Sequence, residues 1–281
     1  MPDLTDHELA DISAANESGL TPVVFVHGLW LLSSSWDRWR ALFQEAGYAT
    51  IAPAWPDDPE DVQAARAEPD VFAKKMIKGV TDHYLAAIDR LTVKPAVVGH
   101  SFGGLIAQRL AGSGVSRATV AIDPAPFRGV LPLPLSSLKS SSAVLGNPAN
   151  YGKAVTLTFE QFTYGWANAL PEDEARELYD TYHVAAPAVP LFEAASANVN
   201  PWTQAKVDTK NPDRGPLLIV AGTADNTVPL AITHAMYKLQ AKKNPGLTEI
   251  AEIEGRGHSL VIDHGWKDVA DVSLAFIQKN G

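Results

Sequence analysis

The chain has 281 residues, 46% of them hydrophobic, and a formal net charge of -9. This length and composition suit the core of one α/β domain with an insertion, or two small domains. The acidic residues are spread along the chain without a basic patch, which excludes a nucleic-acid-binding face, and the absence of cysteine excludes disulfides and thiolate chemistry.

The N-terminal segment bears on where the protein works. Residues 1–18 are polar and acidic, without the basic start and apolar centre of a signal peptide. No apolar run in the sequence is long enough to cross a membrane. We therefore expect a cytoplasmic protein with no membrane partner and no nucleic-acid partner.

The first half of the chain alternates short apolar runs with amphipathic segments. The runs predict buried strands at 21–26, 48–55, 95–98 and 117–122, and the amphipathic segments predict helices at 36–46, 71–91 and 104–111. The Pro- and Asp-rich stretch 56–69 is predicted to be a loop. Strands that alternate with helices are typical of a parallel sheet covered by helices.

This alternation stops between residues 129 and 211, a stretch rich in Pro, Ser, Asn and aromatic residues. Its clearest predicted helix covers 172–182. The alternation then resumes with predicted strands at 216–221 and 248–254 and predicted helices at 229–243 and 265–279. We interpret 129–211 as a cap inserted between a first core part, residues 1–128, and a second core part, residues 212–281.

The stretch from Gly99 to Gly103 reads G-x-S-x-G, with Ser101 at its centre. It lies between a predicted strand and a predicted helix, which is the context of a nucleophile elbow. There the serine has a strained backbone, and the flanking glycines avoid collisions because they lack a Cβ atom. The alternative is an ordinary serine in a glycine-rich turn, because the pattern alone is common.

A nucleophilic serine needs a general base, and the base needs a carboxylate to orient it. Asp225 follows the predicted strand 216–221, and His258 follows the predicted strand 248–254. Both positions place a side chain at the carboxyl edge of a parallel sheet, as for Ser101. Asp123 also ends a predicted strand and stays open as the alternative acid. Asp225 could instead cap a helix, and His258 could be an ordinary surface histidine.

With these residues in order, the chain resembles the α/β-hydrolase superfamily. Four motifs carry the resemblance, which covers nearly the whole chain: HGLW at 27–30, GHSFGG at 99–104, GTADNTVP at 222–229 and GHS at 257–259. It implies an α/β fold in which helices flank a mostly parallel central sheet and a helical cap is inserted. Only about twenty polar residues precede the first predicted strand, so the family's leading strand pair is expected to be short or absent.

The resemblance also implies a role for each motif residue. Ser101 would attack a carbonyl carbon, His258 would be the general base and acid, and Asp225 would orient His258. The oxyanion hole would use the backbone N–H of Phe102 and that of Leu29, with the N–H of Trp30 as the second choice. His27 is expected to brace the oxyanion loop rather than to react.

The side chains around these motifs predict an apolar pocket. Trp30, Leu31, Phe102 and Phe127 are its expected lining. The sequence has no cluster with metal-ligand spacing and no G-x-G-x-x-G at the first helix, so we expect neither a metal nor another cofactor. The expected partner is a small-molecule ester, and a homodimer stays open.

The leading hypothesis is therefore a cofactor-free serine hydrolase that cleaves carboxylic esters of small to medium, uncharged, hydrophobic compounds through an acyl-enzyme. Hydrolysis of lactones, amides, thioesters or carbon–carbon bonds, and perhydrolysis, use the same residues and stay open. A slow-turnover small-molecule receptor and an acyltransferase also stay open, because a fold does not name its substrate.

Overall fold

A parallel sheet forms the centre of the computed structural model, which describes residues 4–280. The strands, in chain order, are β1 (Pro22–Val26), β2 (Ala49–Ile51), β3 (Ala96–His100), β4 (Ala118–Ile122), β5 (Ala154–Val155), β6 (Ala186–Pro187), β7 (Leu217–Gly222) and β8 (Thr248–Ile253). All except β5 and β6 form one sheet in the order β2-β1-β3-β4-β7-β8, and every neighbouring pair in it is parallel.

Helices cover both faces of this sheet, which is why β1, β3, β4 and β7 are buried at every position. In chain order they are α1 (Asp6–Ser18), α2 (Asp37–Glu45), α3 (Val62–Ala67), α4 (Ile77–Ile88), α5 (Phe102–Gly112), α6 (Leu135–Leu145), α7 (Phe159–Gly165), α8 (Glu172–Tyr182), α9 (Val189–Ala195), α10 (Leu230–Ala241) and α11 (Trp266–Asn280). Within residues 4–280, no helix has both the length and the apolar character needed to span a bilayer.

The N-terminal segment forms a helix instead of the family's leading strand pair. No strand precedes β1 within residues 4–280, which confirms the expected shortening of the sheet. A capping box begins α1, since the Thr5 hydroxyl accepts from the N–H of Glu8 at 3.2 Å and the Glu8 carboxylate accepts from the N–H of Thr5 at 2.8 Å. The other Glu8 oxygen lies 2.8 Å from His83 Nε2 on α4, which ties α1 to the core.

Three predictions for the chain between β1 and β3 differ from the structure. The predicted helix 71–91 is interrupted, because Lys74 adopts a φ of 65° and α4 begins only at Ile77. The predicted loop 56–69 contains α3, whose first turn is capped by the Asp61 carboxylate at 2.8 Å from the N–H of Ala64. The predicted strand 48–55 pairs with β1 only over β2.

The chain between β4 and β7 carries α6 to α9 and the short antiparallel pair of β5 and β6. This segment contains the stretch 129–211 that we interpret as a cap. Part of it builds a small hydrophobic cluster, separate from the main core, in which Val184 and Ala185 pack with Leu32, Ala65 and Phe72. The cap limits themselves stay a prediction.

Candidate active site

Ser101 lies in the sharp turn between β3 and α5 and has a φ of 56° and a ψ of -122°. A side chain on Gly99 would collide with the backbone of Gly103, and a side chain on Gly103 would collide with the carbonyl of Val26. Only glycine therefore allows the strand and the helix to approach closely enough for this turn. The strained serine is held at the carboxyl end of the central sheet.

The structure brings Ser101, His258 and Asp225 together. His258 Nε2 lies 2.9 Å from Ser101 Oγ, and His258 Nδ1 lies 2.6 Å from Asp225 Oδ2. All three residues are buried. The carboxylate of Asp225 accepts a hydrogen bond from the Nδ1–H of the imidazole. Nε2 then carries no proton and can accept the hydroxyl proton of Ser101.

Backbone amides fix the Asp225 carboxylate in this orientation. Its Oδ1 accepts from the N–H of Thr227 at 2.6 Å and from the N–H of Val228 at 2.9 Å. These two donors stabilise the charged carboxylate and leave Oδ2 to face the imidazole. Asp225 takes this position because β7 ends at Gly222 and the chain turns before Pro229, the residue that precedes the first turn of α10.

Asp123, the alternative acid, lies beside Asp225 without a hydrogen bond to His258. It is completely buried, its Oδ1 accepts from the N–H of Gly222 at 2.8 Å, and its Oδ2 has no partner within the described residues. Polar atoms of Asp123, Asp225 and His258 lie within 4.8 Å of one another, a spacing that a metal ion could use. His258 already bonds Asp225 through Nδ1 and Ser101 through Nε2, so we interpret the group as a hydrogen-bonded one.

Two neighbouring carboxylates cannot easily both be charged in a buried site. Burial and the negative charge of Asp225 raise the pKa of Asp123 well above its usual range. Both effects favour the protonated form of Asp123 in the folded protein.

Replacing Asp123 with Asn should stabilise the protein at pH 7. The unfolded chain releases the Asp123 proton above about pH 4, whereas the folded protein, in which the pKa of Asp123 is raised, retains it to higher pH. The free energy of unfolding of the wild type therefore falls as the pH rises from that value towards the raised folded-state pKa, and an Asn side chain avoids this loss. Thermal melts should give a higher Tm for Asp123→Asn at pH 7 and a smaller difference at pH 4. A lower Tm at pH 7 would mean that the folded protein keeps Asp123 charged.

Two histidines next to the site have structural contacts. The pKa of His100 is lowered well below its usual range, first by complete burial and then by the neighbouring His258. His100 Nε2 donates to the carbonyl of His258 at 3.0 Å, so a neutral ring supports the loop that carries the base. His27 Nδ1 lies 2.9 Å from the carbonyl of Gly28, and its Nε2 accepts from the N–H of Trp55 at 3.3 Å.

The predicted oxyanion loop lies directly against Ser101. A Cβ atom on Gly28 would lie 2.9 Å from Ser101 Cβ, so glycine is required for this approach. Leu29, Trp30 and Phe102 are buried, and within residues 4–280 none of their N–H groups donates to a backbone or side-chain acceptor. Their N–H groups are therefore available to a ligand, and that of Phe102 is one of the first-turn amides of α5, which have no partner within the helix.

All four predicted pocket residues, Trp30, Leu31, Phe102 and Phe127, are buried. Sequence reasoning missed Trp166, which it counted only among the many aromatic residues of the cap. The Trp166 ring packs edge-on against the His258 ring with 4.8 Å between centroids, and its carbonyl accepts from the N–H of Ser259 at 3.0 Å. Nothing in the sequence separates it from its neighbours, because the contact joins residues far apart in the chain.

A family model described as the alpha/beta hydrolase family matches residues 23–272. Among solved structures, the chain is similar to a monoacylglycerol lipase from Paleococcus ferrophilus, with 20% identity, a TM-score of 0.64, and coverage of 92% of this chain and 95% of that one. It is also similar to a pyrethroid hydrolase from Sphingobium faniae, with 15% identity, a TM-score of 0.65, and coverage of 92% and 97%.

A third similar structure is an extracellular alpha/beta-hydrolase from a Paenibacillus species, described as sharing structural and functional homology with tobacco salicylic acid binding protein 2. The two chains are 17% identical over 91% of this chain and 98% of that one, with a TM-score of 0.65. At such identities the three structures establish a shared fold, while the family match rests on the sequence itself.

Proposed function

The chain belongs to the alpha/beta hydrolase family, and on that premise we propose that it is a serine hydrolase that cleaves carboxylic esters through an acyl-enzyme on Ser101. The observation that carries the proposal is the continuous series of hydrogen bonds from Asp225 through His258 to Ser101. Such a series activates a serine hydroxyl, which is otherwise a weak nucleophile.

In the first half-reaction, Ser101 Oγ bonds the ester carbonyl carbon while His258 Nε2 takes the hydroxyl proton. The negative charge on the carbonyl oxygen would be stabilised by the N–H groups of Phe102 and of Leu29 or Trp30. When the intermediate collapses, His258 gives its proton to the departing alkoxide, and the alcohol leaves an acyl group on Ser101.

In the second half-reaction, His258 Nε2 removes a proton from a water molecule whose oxygen bonds the acyl carbon. Collapse returns the proton to Ser101 Oγ and releases the carboxylic acid. Throughout both steps, Asp225 holds the imidazole in the required tautomer and stabilises its charged form.

The lining of the site supports an uncharged, hydrophobic substrate. The side chains predicted to surround Ser101, from Trp30, Leu31, Phe102 and Phe127, are aromatic or aliphatic. A pocket of this kind binds by apolar contact and uses few polar groups to orient its ligand. Two of the similar structures are named as a monoacylglycerol lipase and a pyrethroid hydrolase, which agrees with this substrate class.

The test is a series of 4-nitrophenyl esters with acetyl, butyryl and octanoyl groups, together with labelling by a fluorophosphonate and peptide mass spectrometry. We expect steady multiple turnover and a label on Ser101. The acyl chain that gives the highest kcat/KM would indicate the length of the acyl pocket. A single burst without turnover would favour the slow-turnover receptor instead, and a label on another serine would contradict the proposed nucleophile.

A further inference from the structure

The oxyanion loop, residues 27–32, is bonded to the cap as well as to the core. The indole Nε1 of Trp30 donates to the carbonyl of Val155 at 3.0 Å, and the N–H of Val184 donates to the carbonyl of Trp30 at 3.1 Å. Val155 belongs to β5, and Val184 lies two residues before β6, its partner strand. Trp30 is thus held by one strand of the cap's small sheet and by the segment that leads into the other strand.

Hydrophobic contact adds a second attachment at the end of the same loop. Leu32 packs with Val184 and Ala185 in the separate small cluster that also includes Phe72. From the opposite side, the Arg66 guanidinium on α3 donates to the carbonyl of the preceding residue, His183, at 2.9 Å. The chain segment that enters β6 is therefore fixed in place, and the oxyanion loop is fixed to it.

The backbone of Trp30 needs such support because its φ is 61°. This left-handed conformation costs a residue other than glycine about 1–2 kcal/mol, so it persists only where the surroundings enforce it. The peptide that joins Leu29 to Trp30 carries the N–H of Trp30, and the N–H of Leu29, the other candidate donor of this loop, lies one peptide earlier in the chain. A change in this conformation would redirect those N–H groups.

We propose that Trp30 is a positioning residue through which the β5–β6 sheet of the cap holds the oxyanion loop in its working conformation. The inference rests on the proposed function for its catalytic consequence, but the coupling of cap and loop is a property of the fold itself. Displacing the β5–β6 sheet would release Trp30 and remove the alignment of the hole, so chemistry would require a docked cap.

The test compares Trp30→Phe, which removes the indole N–H, with Trp202→Phe as a matched control, because Trp202 lies in the cap with 81% of its surface exposed. With 4-nitrophenyl butyrate we expect Trp30→Phe to lower kcat by about 10- to 100-fold with KM changed less than about twofold. The inhibition constant of a trifluoromethyl ketone, which forms an oxyanion on Ser101, should rise by the same factor as kcat/KM falls. A rise in KM alone would overturn the positioning role.

Hydrogen–deuterium exchange tests the coupling without turnover. Trp30→Phe should speed exchange in peptides covering 27–36 and 152–160 and leave 95–100 unchanged, while Trp202→Phe should change none of them. Val184→Ala, which trims the contact with Leu32 and keeps Trp30, should give the same pattern more weakly. Unchanged exchange in either segment would overturn the inference. Faster exchange in both, with a wild type inactive on every ester, would support the coupling and refute only the proposed function.

Discussion

Ser101→Ala should lower kcat for ester hydrolysis by at least about 10⁴-fold, because it removes the only protein atom that forms a covalent bond with the substrate in the proposed mechanism. The Cβ atom remains, so the contact with Gly28 and the strained turn at φ 56° are kept. The loss would therefore report on the missing hydroxyl and not on a changed fold. Turnover of 4-nitrophenyl butyrate, measured with the variant at high concentration, checks the size of the effect.

Ser273→Ala is a suitable control for this variant. Ser273 is also buried, and its hydroxyl donates to the carbonyl of Val269 within α11, away from the elbow. This control should keep wild-type kcat and show at most a small loss of stability from its single hydrogen bond. If Ser101→Ala retained more than a few per cent of the activity, the elbow serine would not be the nucleophile and the proposed mechanism would be refuted.

The elbow and the central sheet could be predicted because their signals are local. Short continuous apolar runs bounded by turn residues are typical of strands that are covered on both faces, as β1, β3, β4 and β7 are. Glycines on both sides of Ser101 have a single steric explanation, the close approach of Gly99 and Gly103. Short-range sterics and burial therefore sufficed for the core.

Two of the errors lie beside contacts with residues that are distant in the chain. The helix predicted over 71–91 is amphipathic throughout, yet α4 begins at Ile77, where the Glu193 carboxylate from the cap accepts the backbone N–H at 3.0 Å. The strand predicted over 48–55 ends at Ile51, two residues before Pro53, which has no N–H to donate to a ladder, and the N–H of Trp55 bonds His27 instead of a neighbouring strand. A single sequence does not reveal such partners.

The choice between the two carboxylates was open for a related reason. Asp123 and Asp225 end adjacent parallel strands, β4 and β7, so both arrive at the same edge of the sheet. Which one meets His258 depends on a displacement of a few ångströms, set by the amides of Thr227 and Val228 that turn Asp225 towards the imidazole. Residue type and spacing do not encode that displacement.

Asp225→Asn should lower kcat by about 10⁴-fold, which is the typical cost when the orienting acid of such a site loses its charge. The Asn oxygen would keep the N–H donors of Thr227 and Val228, so its amide nitrogen would face His258 Nδ1. That nitrogen can only donate, which forces the proton of the neutral imidazole onto Nε2. Nε2 could then no longer accept the Ser101 proton.

Asp123→Asn is the matched comparison, because it makes the same chemical change in the neighbouring carboxyl group, which has no hydrogen bond to the imidazole. Burial and the neighbouring Asp225 raise the pKa of Asp123 and so favour its neutral form, and we therefore expect the neutral Asn to leave kcat at pH 7 within about threefold of the wild type. Parallel kcat measurements of the two Asn variants therefore identify the acid. A reversed order, with Asp123→Asn the more damaged enzyme, would assign the orienting role to Asp123 and require the imidazole to turn away from Asp225 in the working enzyme.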